Sequence, residues 1–380
     1  MTVVSHAGAR LRTRPPALYS ARPACFLSPR MTSPSNPVSA VPRGKTLVTG
    51  AAGHVGANLV RHLLAAGDDV RVLVHPQHNN RGVDGLPVER VEGDLRDVEA
   101  VARAVKGCVR VYHTAAKVSV MSPTEPQMRE LWQINVLGTR NVLRAAQRAG
   151  VARVVHTSSF STIGFDPEDP TRPCTEDMPF YPFVEWMPYS RTKVLAEHEV
   201  LQSVAEGLDV VIAVSTGVCG PNDFLPSRTG KAMIDFCQGK LRAVIPGGYE
   251  AVTTDDLSRG HVLAMERGRT GQRYTLSTRY VTMDEMLTLF AELSGVRKRP
   301  VNLPPKLMAG IAGAISKPMA KLLPNVPQHL TPGAVFVLTM QRRADTTKAR
   351  TELGFVPGDL AAGVRAWHEF FVAEGMIGRR

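Results

Sequence analysis

The segment TLVTGAAGHVG at residues 46–56 leaves this chain few folds to choose from. Four strand-forming residues end in Gly50, further glycines follow at 53 and 56, and the chain then runs into ANLVRHLL, apolar along one helical face. Gly50 permits a tight turn, Gly53 lets the backbone approach a pyrophosphate, and Gly56 lets a helix pack close on the strand. The helix N-terminus, with Ala52, His54 and Val55 beside it, then faces phosphate groups.

From Lys45 onward short β-branched runs alternate with amphipathic stretches. The runs fall at 46–49, 70–74, 88–92, 109–113, 151–157 and 210–215, and the helical stretches at 57–66, 99–105, 128–149 and 189–205. Such alternation implies βαβ units, so the expected class is α/β: a Rossmann-type, doubly wound parallel sheet with a smaller C-terminal α/β substrate lobe. We divide the chain into a disordered basic extension at 1–43, a dinucleotide-binding domain at 44–220 and a substrate lobe at 221–380. Helices are expected at 282–294 and 361–374, and part of the last region should complete the sheet.

Charge decides what the extension means. The formal net charge is +12, but residues 1–44 hold six arginines and no Asp or Glu, so half the excess is confined to the tail. No basic run with interleaved aromatics remains, and nucleic acid is not an expected partner. The tail lacks the apolar stretch of a secretory signal. We read it as a disordered extension, or as an upstream start with Met31 the true beginning, ahead of a transit peptide, because Pro15, Pro16 and Pro23 oppose an amphipathic helix. Five scattered cysteines form no metal-ligand cluster, so no metal is expected and a reducing, cytoplasmic setting fits. No stretch is long enough to span a membrane. Residues 307–323, with Lys306, Lys317 and Lys321, carry a weak suggestion of peripheral membrane contact, which Pro318 and Pro324 oppose.

Two further clusters carry chemistry. After the second strand (VRVLVHP) no carboxylate lies between Arg71 and Arg81, so His75 and Arg81 would tolerate a ribose 2′-phosphate; NADP(H) is favoured and NAD(H) is the alternative. Asp94 could accept from an adenine amine, or merely cap a helix, with Leu95 next to it. In WMPYSRTK, Tyr189 and Lys193 share one helical face just after Pro188, so an ammonium can act on a phenol and favour its ionised form.

Together these pieces resemble the extended short-chain dehydrogenase/reductase family, which includes the NAD-dependent epimerases and dehydratases. The matching segments are TGAAGHVG (49–56), GDL (93–95), VYHTAA (111–116), NVLGTRNVLRAA (135–146), VVHTSS (154–159), YSRTK (189–193), GP (220–221) and DTTKARTELGFVP (345–357). The resemblance implies that Tyr189 donates or accepts the proton, that Lys193 lowers its pKa and holds the nicotinamide ribose, and that Ser159 bonds the reacting oxygen. It implies support of Lys193 by Asn135 through a water, and cofactor contacts from Thr114, Ala115, Ala116, Thr157, Ser158, Thr216 and Val218. Ser215-Thr216-Gly217-Val218 stands where many members carry Arg-Pro, and the second strand lacks the acid of sugar epimerases. The chain is similar to the dihydroflavonol reductase and 3β-hydroxysteroid dehydrogenase branch, and a helix-mediated homodimer is common in the family.

The aromatic approach FYPFVEWM at 180–187 suggests a wall for an apolar or ring-shaped substrate, with Lys117, Phe160, Met187 and Phe224 as pocket candidates; packing between lobes explains the aromatics equally well. The expected activity is hydride transfer between nicotinamide C4 and a carbonyl or alcohol of a hydrophobic small molecule. The alternatives are a nucleotide-sugar epimerase or dehydratase, and a non-catalytic NADP-binding redox sensor.

Overall fold

The β-branched runs become neighbours in one sheet because they are apolar on both faces. The protein is known from a computed structural model, which describes residues 41–118, 124–166, 168–169, 171–181, 187–304 and 338–378. Strands β1 (Thr46–Thr49), β4 (Arg110–His113) and β6 (Val210–Ser215) are buried throughout, as strands covered by helices on both sides must be. With β2 (Val70–Val74), β3 (Glu89–Glu92), β5 (Arg153–Ser159) and β10 (Arg273–Leu276) they form a seven-stranded sheet in the order β10-β6-β5-β4-β1-β2-β3. Every neighbouring pair is parallel.

Alternate residues feed the two faces. Val48, Val72, Tyr112, Val155 and Val211 pack with Leu59 and Leu63 of α1 (His54–Ala65) and Leu257 and Met265 of α7 (Thr254–Arg267). On the other face Leu47, Leu73, Val111, Val154 and Ile212 meet α2 (Val98–Val105), α4 (Gly138–Arg148) and α5 (Pro188–Ala205) through Val101, Val105, Val142, Leu143 and Val200. Each large side chain buried in this way stabilises the fold by about 1.5–3 kcal/mol. The winding reverses between β1 and β4, whose last residues Thr49 and His113 lie side by side. A crevice opens there beyond the carboxyl ends, where such sheets take their ligands.

One element differs from the sequence reading. The helix expected over 128–149 is α3 (Glu125–Trp132) and α4, joined by a wide π turn at Gln133–Leu137. The extra residue in that turn places Asn135, 1% exposed, toward the sheet. After β6, α7 and β10 flank and extend the large sheet. What remains is a small layer. Strands β7 (Gly217–Cys219), β9 (Gly248–Thr253) and β11 (Arg279–Thr282) form one sheet, and β8 (Ala243–Val244) pairs with β12 (Val301–Asn302). Helices α6 (Arg228–Cys237), α8 (Met283–Ser294) and α9 (Leu360–Ala373) close over Phe236, Phe290, Trp367 and Phe371.

Among the described residues no helix is long and apolar enough to cross a membrane, and no group of His, Cys, Asp or Glu could hold a metal ion. The membrane-contact candidate at 307–323 and most of the aromatic approach, 182–186, lie outside the described residues.

Candidate active site

The glycine turn is built as its spacing requires. Gly50 has φ +69°, and a Cβ placed on it would stand 2.5 Å from the Ala115 backbone; one on Gly56 would stand 2.2 Å from the Gly50 carbonyl oxygen. Gly53 is the N-cap of α1, with no side-chain cap and no acidic residue in the first turn. The helix dipole and its first amides are therefore left for an anion, so the residues present fit a dinucleotide pyrophosphate. The His54 side chain is engaged elsewhere: its Nε2 is 2.9 Å from the Gly220 carbonyl and its ring stacks on Trp367 at 6.0 Å. Its backbone, with those of Ala52 and Val55, stays at the turn. Sequence reasoning missed Gly82, which lies so close to Ala52 that a Cβ would approach its carbonyl oxygen to 2.5 Å, and whose own carbonyl accepts from Arg61 at 2.6 Å. That contact draws the loop after β2 over the glycine turn.

At the adenine end, His75 Nε2 is 3.1 Å from Asp94 Oδ2, and the His75 ring stacks on His78 at 3.9 Å. The Arg96 guanidinium bonded to Asp94 holds that carboxyl well below the usual range. The helix-cap reading of Asp94 is corrected: Asp97 caps α2, accepting from the Glu99 and Ala100 amides. Leu95 is buried, and its carbonyl accepts from Asn141 at 2.9 Å. Arg81 pairs with Glu374 just beyond α9, and its guanidinium lies 5.3 Å from the centre of the Phe224 ring. Phe224 also meets Phe370 edge-on at 5.0 Å. This candidate pocket residue thus keeps company with Arg81.

At the proton end, Pro188 occupies the first turn of α5, where a missing N–H costs nothing. Tyr189 lies close enough to Ser159 for that hydroxyl to favour the ionised phenol, while Ser159 Oγ itself meets Ser161 Oγ at 3.0 Å. Ser158 is turned away and donates to Glu197, and the Thr157 hydroxyl meets His261 Nε2 at 2.7 Å. Neither hydroxyl is therefore presented to a cofactor; the successive side chains of a strand point to opposite faces. Burial pushes the Tyr189 phenol up to about 12 against the opposing influence of Ser159 and Arg228. Desolvation is the largest influence on the phenol. Lys193, 2% exposed, donates from Nζ to the Thr157 carbonyl at 2.7 Å, and burial pushes it down to about 8 against the pull of Glu197.

Asn135 braces the wall. Its Oδ1 accepts from the Lys117 amide at 2.7 Å, and its Nδ2 donates to the Lys117 carbonyl at 2.9 Å and to Thr192 Oγ1 at 3.0 Å. It thus ties the segment after β4 directly to α5. The Lys117 ammonium pairs with Glu130 at 2.6 Å, so this candidate pocket residue reaches the site through its backbone. Thr114 Oγ1 donates to the Thr49 carbonyl at 2.8 Å, locking the crevice floor, and Ala116 is exposed beside it. Thr216 Oγ1 donates to the Leu276 carbonyl at 3.2 Å, and Val218 packs on the core through β7. Met187 is buried at the start of α5, and Arg342 lies over the Phe160 ring at 4.6 Å. The influence of Arg228 on the phenol had no sequence signal, since about forty residues separate them.

Comparison with known proteins agrees with this geometry. Residues 46–277 match the NAD dependent epimerase/dehydratase family. A sterol demethylase protein B of Methylococcus capsulatus is 39% identical over 332 residues, covering 87% of this chain and 99% of that protein. A 4-hydroxy-2-methyl-3-oxo-4-farnesyl-3,4-dihydroquinoline-1-oxide ketoreductase of Stigmatella aurantiaca is 31% identical over 325 residues, covering 82% and 91%. Among solved structures, a dTDP-glucose 4,6-dehydratase of Streptomyces venezuelae with NAD bound superposes with a TM-score of 0.68 at 25% identity, covering 87% of this chain and 97% of that one. With its glycine turn, parallel sheet and Tyr189–Lys193 helix, the chain belongs to the NAD-dependent epimerase/dehydratase family of extended short-chain dehydrogenase/reductases.

Proposed function

We propose that the protein is an NAD(P)-dependent oxidoreductase that interconverts a ketone and an alcohol on a hydrophobic, ring-shaped molecule of the sterol kind. The observation that carries this reading is the juxtaposition of Tyr189 with Ser159 at the carboxyl end of β5, close enough for that hydroxyl to favour the ionised phenol, with the buried Lys193 one helical turn beyond. The cofactor would supply or take up a hydride at nicotinamide C4. The amides of Gly50 and of residues 52–56 would hold its pyrophosphate, Asp94 and Leu95 its adenine, His75 and Arg81 its ribose phosphate, and Lys193 the nicotinamide ribose. Thr114 to Ala116, Thr216 and Val218 would line its remaining faces, with Thr157 and Ser158 contributing backbone only.

Ser159 and Tyr189 would grip the substrate oxygen between two hydroxyls. With its pKa at about 12, the resting phenol holds its proton, so Tyr189 is set to donate to the oxygen of a ketone. Lys193 would place its charge behind the alkoxide and phenolate that exchange this proton. Phe160 and Met187 supply apolar wall, and Val118 and Leu225, 66% and 69% exposed, add apolar surface next to Lys117 and Phe224. NADP(H) is the favoured cofactor, because the end of β2 presents imidazoles and a guanidinium where an NAD site carries an acid. The sterol and ketoreductase relatives support a hydrophobic substrate, and the buried thiols of Cys108, Cys174 and Cys219 suit a cytoplasmic setting.

The test is oxidation of NADPH or NADH by the purified protein with a panel of 3-ketosterols and other apolar ketones. Turnover with net cofactor consumption supports the reading. Conversion of a nucleotide sugar with no net cofactor change would replace it with epimerisation, and nucleotide binding without any turnover with a sensor. We also propose a homodimer across a groove of about 430 Å³ between α3 and α5, lined by Met128, Trp132, Leu137 and Leu195. Trp132→Glu should then sediment as a monomer.

A further inference from the structure

Three histidines are buried near the segment of β5 that Lys193 reaches: His113 on β4, whose ring lies 5.3 Å from that of His156, His156 on β5 itself, and His261 on α7, which meets Thr157. The sequence reading gave none of them a task. Their hydrogen bonds fix their proton positions. Thr139 Oγ1 spends its hydrogen on the Asn135 carbonyl at 2.7 Å, so His113 donates to that hydroxyl from Nε2 at 2.9 Å and accepts from Thr49 through Nδ1 at 2.7 Å. His261 donates from Nδ1 to the Leu257 carbonyl at 2.7 Å and accepts from Thr157 Oγ1 through Nε2. Both rings are therefore neutral and fully engaged. His156 differs: its Nε2 faces Lys193 Nζ at 3.5 Å, and its Nδ1 has no partner among the described residues.

We propose that His156 is a positioning residue for Lys193, its neutral ring turning the Nε2 lone pair to the ammonium so that one lysine hydrogen stays directed at the reaction site. The inference rests on the proposed role of Lys193 as the cation behind the phenol. An ammonium has three hydrogens and no lone pair. The Thr157 carbonyl takes one at 2.7 Å and His156 faces the second, which leaves the third for the nicotinamide ribose or the phenol. A second cation at this distance in a dry site is strongly unfavourable, so His156 must stay neutral with its proton on Nδ1. Burial, Lys193, His113 and His261 all push its pKa well below the usual imidazole range.

The other groups around the ammonium are consistent with this assignment. Glu197, on the next turn of α5, favours the charged lysine, but its oxygens are committed to Ser158 and to Arg273, the latter at 2.7 Å. Tyr189 is neutral at neutral pH, and the His113 ring stands 5.3 Å from that of His156 with both its nitrogens occupied. His156 is thus the side chain whose free lone pair faces the ammonium.

The variants His156→Phe and His156→Gln separate this role from packing, because Phe retains a ring without an acceptor and Gln retains an acceptor. Loss of the acceptor favours the neutral amine, so the alkaline limb of the kcat/KM profile should move down by about one pH unit in His156→Phe. Near pH 8 that shift reduces the protonated fraction of Lys193 about fivefold, and His156→Gln should recover most of the loss. A His156→Phe profile that overlays the wild type, with only the melting temperature changed, would overturn the proposal. A second readout needs no substrate: in labelled ligand-free protein, the nitrogen resonances of His156 should report the neutral Nδ1–H form from pH 5.5 to 9. An Nε2–H form or a protonated ring overturns the proposal whatever the enzyme turns over. Absence of ketone reduction by the wild type, with the Nδ1–H form observed, instead sinks the proposed activity alone.

Discussion

The two ends of the crevice are built on opposite electrostatic plans. At the proton end Lys193, Asn135, His113 and His156 are at most 2% exposed, and their partners are backbone amides and carbonyls, hydroxyls and neutral rings. At the adenine end Arg81 and Arg96 are 53% and 44% exposed and meet carboxylates. Charges in a dry site act at nearly full strength, whereas exposed pairs are screened and contribute about 0–1 kcal/mol. Substitutions at the first end should therefore change rates and stability greatly, and those at the second should change selectivity modestly and in a salt-dependent way.

The sharpest way to break this contrast is Tyr189→Phe, which removes the proposed proton donor while keeping the ring. Turnover should fall about 10²–10⁴-fold with nucleotide affinity nearly unchanged by fluorescence titration. A loss below tenfold would remove the phenol from the chemistry and with it the distinction between the ends.

Lys193→Met should also abolish most activity, yet stabilise the fold at pH 7 by about 1–3 kcal/mol, because a buried ammonium is replaced by an apolar side chain of similar size. The folded protein releases the Lys193 proton near pH 8, whereas the unfolded chain keeps it to the ordinary lysine value of 10.5. Between those values the unfolded state binds more protons, so the cost present below pH 8 fades as pH rises toward 10.5. The melting-temperature gap between variant and wild type should close over that window, and a constant gap would mean that Lys193 is not charged in the fold.

Asn135→Ala removes three hydrogen bonds that join the Lys117 segment to α5. Denaturant unfolding should show a loss of about 1–3 kcal/mol, accompanied by a higher KM as the wall loosens.

The smallest effect belongs to the exposed end. Glu374→Gln frees Arg81 from its carboxylate, and the NADPH-to-NADH affinity ratio should rise a few-fold, less at high salt. An unchanged ratio would place the 2′-phosphate elsewhere.

Local patterns explain what could be read early. Residues 46–49, 70–74 and 210–215 are strands at the bounds their β-branched runs suggest, and the glycine spacing of 50, 53 and 56 produces the turn it implies. Periodicity and backbone permission act over a few residues, so they are visible in a linear text. The π turn at Gln133–Leu137 was not, because it holds one extra residue in an otherwise helical pattern and is held by Asn135 reaching Lys117 and Thr192.

The sequence by itself therefore determined the parallel sheet, the glycine turn with the helix that follows it and the pairing of Tyr189 with Lys193, since each follows from spacing along one or two adjacent elements. Only the tertiary structure decided that Asp97 rather than Asp94 caps α2, that Arg81 is held by Glu374, and that His156 stands behind Lys193. Those choices depend on which side chains converge after burial from distant strands and helices, where desolvation and a single hydrogen-bond partner outweigh any preference a residue carries along the chain.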